Sequence, residues 1–99
     1  MPVQLDLNRP RFQQDWFDLE KNEATALLKT LRKIVQLDWT DIYRDAGLNW
    51  EAVIARTDAR GTRLYTIRVT QKCRALVQRR DELMIFLELH PDHDGAYER

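Results

Sequence analysis

Five side chains in the last third of the sequence are of the types that cleave RNA without a metal ion. In such cleavage the 2′-hydroxyl attacks the neighbouring phosphate. The reaction needs a base for that hydroxyl, cations for the charged transition state and an acid for the departing 5′-oxygen. Arginine carries a permanent charge shaped for phosphate, histidine exchanges a proton near neutral pH, and tyrosine donates a proton or stacks on a base. The candidate catalytic residues are Arg68, Arg74, His90, His93 and Tyr97.

Charge is segregated along the second half of the chain, although the whole sequence is neutral, with 16 basic and 16 acidic residues. Residues 56–80 hold eight cations and one acid, whereas residues 81–98 hold six acids and neither Lys nor Arg. Either neighbouring strands of opposite sign neutralise each other, or the basic segment forms a surface that binds a polyanion. In the second case Arg63, Lys72 and Phe86 are candidate RNA-binding residues, with the Phe86 ring stacking on a base.

Two other interpretations apply to the C-terminal segment. His90, Asp92, His93 and Asp94 are potential metal ligands, but their spacing matches no established metal motif. Alternatively, the segment is polar surface anchored by Tyr97. We expect no metal and no cofactor, because the sequence also lacks a Gly-rich phosphate loop and a dinucleotide motif.

Length and composition limit the possible architectures. The 99 residues, 43% hydrophobic and 32% charged, suit a single domain over residues 1–99 with its own core. The one cysteine, Cys73, cannot form an internal disulfide, which favours a reducing compartment and a cytoplasmic protein. Its place in the alternating pattern predicts a small core residue rather than a nucleophile. No apolar run of about 18 residues and no signal-peptide pattern is present, so the sequence indicates neither a membrane span nor secretion.

The first half of the chain has mainly helical periodicity. Residues 3–7 alternate between apolar and polar types, which predicts a short strand. Apolar residues then recur every three or four positions over residues 12–35, which predicts a helix or a helical hairpin. A short third helical segment is expected before Gly47, and residues 48–54 fit a helix turn or an irregular buried stretch equally well.

The second half predicts an antiparallel meander of three strands, whose register follows from keeping apolar side chains on one face. The first hairpin pairs Arg68 with Arg74 around a loop at residues 70–72, and the second pairs Arg74 with Phe86 around a loop at residues 79–81. The face predicted to lie under the helices holds Tyr65, Ile67, Val69, Ala75, Val77, Ile85 and Leu87. The opposite face is predicted to hold Thr66, Arg68, Arg74, Gln78, Phe86, Glu88 and His90.

The order of these elements, and residues 64–97 in detail (LYTIRVTQKCRALVQRRDELMIFLELHPDHDGAY), resemble the RelE/ParE superfamily of bacterial toxins. The shared pattern begins with a strand that carries a Tyr and a basic residue, here Tyr65 and Arg68. A strand that opens with Arg and continues with apolar residues follows, here Arg74-Ala75-Leu76-Val77. After a third strand, a His/Asp-rich end closes on Tyr97.

The resemblance implies an α+β fold in which an N-terminal strand and a helical hairpin pack on a mostly antiparallel four-stranded sheet. For RelE-like members it implies a type II toxin that inhibits translation as a metal-independent endoribonuclease cutting messenger RNA on the ribosome. The implied partners are a cognate antitoxin, the ribosome and mRNA. By position, Arg68 and Arg74 match the phosphate-binding strand residues, Tyr97 matches the C-terminal aromatic residue, and His90 or His93 matches the general acid or base.

The charge balance also favours an alternative function. The sequence pI of about 6.7 and the acidic C-terminal segment give weak long-range attraction to RNA. In the alternative the chain is a ParE-like or degenerate toxin that acts without catalysis, as a module that binds gyrase or its antitoxin.

Overall fold

The computed structural model describes residues 1–91, apart from the side chain of Ala55. Three helices and five strands follow one another along this part of the chain. They are β1 (Gln4–Asp6), α1 (Pro10–Phe17), α2 (Lys21–Ile34), α3 (Trp39–Arg44), β2 (Glu51–Thr57), β3 (Arg63–Arg68), β4 (Arg74–Arg80) and β5 (Leu83–His90). The predicted α+β class and the helical hairpin are confirmed.

The strands form one sheet in the order β1-β5-β4-β3-β2. Strand β1 runs parallel to β5, and every other neighbouring pair is antiparallel. The sheet has one strand more than the resemblance implied, because the stretch that periodicity left open forms the edge strand β2. This strand pairs regularly only at its start, where Glu51 lies opposite Thr66 and Ala52 opposite Tyr65, before an irregularity that precedes Thr57.

Local sequence signals explain where the helices begin. Pro10 occupies the first turn of α1, where its missing N–H costs no hydrogen bond. Helix α3 begins with a capping box, in which Asp38 and Asp41 each accept a hydrogen bond from the other's backbone N–H. Among the described residues, no helix has the length and apolar character needed to cross a membrane.

The helices cover one face of the sheet, which we call the inner face. The main core there consists of buried side chains from all three helices and from β3, β4 and β5. Its members are Val3, Phe12, Leu27, Leu31, Ile34, Trp39, Ile42, Leu48, Ile67, Ala75, Val77, Met84, Phe86 and Leu89. The opposite, outer face carries a smaller cluster of Val53, Leu64, Leu76 and Leu87.

The register of the first hairpin agrees with the sequence prediction, and the register of the second does not. Arg68 lies opposite Arg74, but the partner of Arg74 on β5 is His90 rather than Phe86. The β4–β5 turn is two residues long instead of three, since Arg80 pairs directly with Leu83. Asp81 adopts the left-handed conformation in this turn, with φ of 53°.

The shorter turn reverses the faces predicted for the first half of β5. Phe86 pairs with Val77, so it lies on the inner face, 0% exposed and 5.3 Å from the Phe12 ring. The predicted RNA-binding role of Phe86 is therefore wrong. Leu87, predicted under the helices, packs in the outer-face cluster, and a β-bulge there returns Glu88 and His90 to the outer face.

Replacing Phe86 with Ala should remove a filled part of the main core. We expect the free energy of unfolding to fall by about 3–5 kcal/mol, the range for a buried aromatic side chain. Phe17→Ala is the matched control because Phe17 is 75% exposed, and it should change stability by less than about 0.5 kcal/mol. Urea denaturation of both variants measures this difference, and equal losses would contradict a core position for Phe86.

Candidate functional site

Three of the predicted catalytic residues lie in a row across the sheet. Arg68 at the end of β3 is the Cα partner of Arg74 at the start of β4, and Arg74 is the partner of His90 at the end of β5. Directly opposed residues share a face, so all three belong to the outer face, as expected. We call these three residues the basic row.

The guanidinium of Arg74 is buried at the centre of the basic row, with only 1% of the residue exposed. Its Nη2 donates to the Thr66 hydroxyl at 2.8 Å and to the Asn49 carbonyl at 3.2 Å, and it lies 3.7 Å from the Glu51 carboxylate. Its Nε–H has no hydrogen-bond partner in the described part of the chain. A buried charged donor without a partner costs stability.

Arg68 and Lys72 add exposed positive charge next to buried Arg74 in the sheet and its β3–β4 loop. Both side chains are exposed, and neither has an ion pair among the described residues. The Arg68 backbone is fixed by a 2.7 Å hydrogen bond from its N–H to the Leu48 carbonyl. The β3–β4 loop is held by the Thr70 hydroxyl, which accepts from the Cys73 N–H at 2.9 Å. Both cations therefore face solvent from a rigid backbone.

His90 is buried, 4% exposed, in a network with Glu88 and Arg56. Its Nε2 lies 2.9 Å from one Glu88 oxygen, and Arg56 donates to both oxygens at 2.8 and 3.3 Å. Burial alone would raise the pKa of Glu88. The hydrogen bonds from Arg56 and His90, with the charges of Arg56 and Arg11, outweigh burial and lower the pKa to about 2.

The ionised state of Glu88 fixes the tautomer of His90. An ionised carboxylate only accepts hydrogen bonds, so the proton of the neutral ring must sit on Nε2. Nδ1 is then the ring atom left to accept a proton. Glu88 thus orients His90 in the way that a buried carboxylate orients a catalytic histidine.

Glu51 is a functional candidate that sequence reasoning missed. It opens β2 on the outer face, opposite Thr66, and 47% of its side chain is exposed. Its carboxylate 3.7 Å from Arg74 is the described acidic group nearest to that guanidinium, and a carboxylate there is suited to accept a proton. The sequence did not predict this position. Its periodicity did not identify β2, so the pairing of Glu51 with Thr66 could not be derived.

Of the remaining predicted residues, the structure describes only Arg63. Arg63 is exposed at the opposite end of β3 from Arg68, where it lines a cavity of about 430 Å³ with Tyr43, Tyr65 and Arg79. His93 and Tyr97 lie outside the described residues, as do Asp92 and Asp94. The roles predicted for Arg63, His93 and Tyr97 therefore remain predictions.

The described part of the chain contains no group of three or more His, Cys, Asp and Glu side chains arranged to hold a metal ion. Cys73 is buried beside Glu23. Burial, together with the charge of Glu23 and a hydrogen bond to it, raises the pKa of the Cys73 thiol to about 12. The thiol is thus protonated at neutral pH and unsuited to act as a nucleophile.

Comparison with known proteins identifies the fold but no family. No family model matches the chain, and no curated protein sequence does. Among solved structures, the chain is similar to a copper-bound point mutant of a toxin from Helicobacter pylori, with a TM-score of 0.50 and 16% sequence identity. The match covers 96% of this chain and 97% of the other. At this identity the similarity shows a toxin-like fold.

The Glu88 network makes stability depend on pH in a defined direction. Because folding lowers the pKa of Glu88, the ionised carboxylate stabilises the folded state at neutral pH. This contribution should fall progressively from about pH 5 towards pH 2. Glu88→Gln should therefore be about 2–3 kcal/mol less stable than the wild type at pH 7, with the difference shrinking as the pH falls.

Urea denaturation between pH 7 and pH 3 measures this difference. Glu20→Gln is the matched control, since Glu20 is exposed and makes no side-chain capping hydrogen bond at α2. A difference between wild type and Glu88→Gln that stays constant with pH would rule out a depressed pKa for Glu88.

Proposed function

We propose that this chain is a RelE-like member of the RelE/ParE superfamily, the toxin of a type II toxin-antitoxin pair, and that it inhibits translation by cutting mRNA on the ribosome. The basic row carries the proposal. It places two guanidiniums and a carboxylate-oriented histidine on neighbouring strands. The fold's similarity to a bacterial toxin supports the same function.

The proposed reaction uses groups at the basic row. Glu51 accepts the proton of the 2′-hydroxyl as its oxygen forms a bond to phosphorus, and the bond between phosphorus and the 5′-oxygen breaks. Arg68, Lys72 and the Nε–H of Arg74 stabilise the extra negative charge on the phosphate oxygens. A protonated His90 or His93, or Tyr97, gives its proton to the departing 5′-oxygen. The products are a 2′,3′-cyclic phosphate and a 5′-hydroxyl.

Buried Arg74 has a second task in this proposal. Its bonds to Asn49 and Thr66, and its charge beside Glu51, hold the start of β2 against β3 and β4. The guanidinium therefore positions the proposed base as well as binding phosphate. Lysine keeps the charge but lacks the planar fork, so it would not replace both functions.

The proposed partners follow from the same charges. In the cytoplasm, the ribosome presents mRNA to the exposed cations Arg68 and Lys72. A cognate antitoxin silences the toxin by laying an acidic helix or strand over the outer face or the helical hairpin, which masks these cations.

A second candidate function is a non-catalytic ParE-like module that binds gyrase or its antitoxin. The observation that favours it is the burial of both Arg74 and His90, with Nη2 of Arg74 bonded to Thr66 and Nε2 of His90 bonded to Glu88. Buried side chains with such hydrogen bonds are as consistent with a structural role in a protein-binding surface as with a catalytic role.

Primer extension on a defined mRNA in a purified translation system separates the two functions. Glu51→Gln removes the proposed base and should lower cleavage at least 100-fold, the range for loss of a general base. Arg68→Ala removes one phosphate contact and should lower cleavage about 100- to 1,000-fold, the range for loss of one donor to a developing charge. Both side chains are exposed enough for the variants to fold.

Arg44→Ala is the matched control, because Arg44 is exposed at the end of α3, on the helical layer. It should cut as the wild type does. An intact message with wild-type protein, or full cleavage by both Glu51→Gln and Arg68→Ala, would reject the ribonuclease and favour the binding module.

A further inference from the structure

A second concentration of positive charge lies on the outer face, at the far end of β4 from the basic row. Arg9, Arg60 and Arg80 line a cavity of about 460 Å³, together with Asp58, Gln78 and Leu87. We call it the three-arginine pocket. Its arginines come from three separate places: the residue before α1, the β2–β3 turn and the end of β4.

Hydrogen bonds to Asp58 hold the β2–β3 turn, which carries Arg60, at this pocket. One oxygen of Asp58 accepts hydrogen bonds from the backbone N–H groups of Arg60 and Thr62 at 2.9 and 2.8 Å. The other oxygen accepts from the side chain of Gln78 on β4 at 2.7 Å. Gly61 completes the turn with φ of 79°. The turn is thus tied to the buried centre of the sheet, and it is not a loose loop.

Among the described residues, the three guanidiniums have no ion-pair partner. None of them forms a hydrogen bond or an ion pair with another residue of the described part of the chain. Asp58 is the one acid among the described residues that line the pocket, and its single charge offsets only part of the charge of the three arginines. The remaining like charges repel each other, and an anion bound between them reduces that cost.

The pocket and the basic row share a face and a strand. Arg74 and Arg80 are six residues apart on β4, an even number, so both point to the outer face. Six residues of strand span about 20 Å. In a stacked single strand of RNA this is the length of about six nucleotides, and of fewer when the strand is extended.

We propose that the three-arginine pocket binds a backbone phosphate of the same RNA strand whose cleavage we propose at the basic row, several nucleotides away from the cut. This inference rests on the proposed function and assigns that site a second anchor. The pocket is large enough for one nucleotide, and half-buried Leu87 offers an apolar surface to its sugar or base. An acidic protein segment is the alternative ligand for the pocket. Its binding would not require the pocket and the basic row to lie on the same face and the same strand, whereas binding of one RNA strand to both sites does.

Binding of fluorescein-labelled 2′-O-methyl RNA, which cannot be cleaved, tests the pocket. The probes are a trinucleotide, too short to span about 20 Å, and a dodecanucleotide, which is long enough. The wild type should bind the longer RNA at least 10-fold more tightly. Arg60→Ala combined with Arg80→Ala should abolish this preference while binding the trinucleotide as the wild type does. Loss of one phosphate contact should also reduce the magnitude of the slope of log K against log salt by about 0.7.

Arg32→Ala combined with Arg44→Ala is the matched control. It removes the same charge from exposed positions on α2 and α3, away from the outer face, and should keep the wild-type preference for the longer RNA. An unchanged preference in the Arg60/Arg80 variant, an equal loss in the control, or no length preference in the wild type would overturn the proposal. Tighter binding of a dodecaglutamate peptide, lost in the same variant, would also overturn it and assign the pocket to an acidic protein.

The two proposals fail in different ways. If Glu51→Gln abolishes cleavage while the Arg60/Arg80 variant binds both RNAs normally, the ribonuclease stands without the pocket. If the variant loses its length preference while the wild type never cuts mRNA, the chain binds RNA at the pocket but is not the proposed enzyme.

Discussion

The outer face of this protein is organised around one buried guanidinium. A charged group that is only 1% exposed is expensive to desolvate, and its neighbours must compensate for that cost. Nη2 of Arg74 contacts the hydroxyl of Thr66 on β3, the carbonyl of Asn49 before β2 and the carboxylate that opens β2. The first residues of β2 also pair regularly with β3, and the contacts of Arg74 add to that pairing at the same end of the strand. The position of Glu51 therefore depends on both the strand pairing and the buried guanidinium.

The β-bulge in β5 lets one strand serve two faces. Before it, Met84 and Phe86 point into the main core, where the Phe86 ring packs against Phe12. After it, Glu88 and His90 point to the outer face, where His90 lies opposite Arg74. Without the extra residue, the alternation that buries Phe86 would also have buried Glu88 and His90 under the helices. Because of the bulge, β5 contributes apolar side chains to the main core and polar side chains to the outer face.

The first hairpin was predictable from the sequence, because residues 65–69 and 73–77 alternate clearly and a one-residue slip would have reversed every side chain. The second was not, because residues 83–87 are apolar without interruption and fit either face. The length of the β4–β5 turn therefore determines the register of these two strands. The sequence does not reveal that length, because the left-handed conformation of Asp81 has no distinctive sequence signal. Glu51 and the Arg56–Glu88 pair escaped prediction for another reason. Both depend on β2, whose packing is set by tertiary contacts and not by its own periodicity.

The segregated charge is paired at some positions and unpaired at others. Arg56 on β2 donates to both oxygens of Glu88 on β5, although these two strands are not adjacent in the sheet. Arg79 has uncharged partners: it lies 4.5 Å from the Trp39 ring and donates to the Tyr43 hydroxyl. Arg9, Arg60, Arg68 and Arg80 have no such partner among the described residues, and the three of them that belong to strands or turns of the sheet lie towards its outer face. The paired carboxylate therefore sits between two unpaired basic groups. It bonds to His90 and Arg56 and leaves the exposed cations at both ends of β4 without an acidic partner among the described residues.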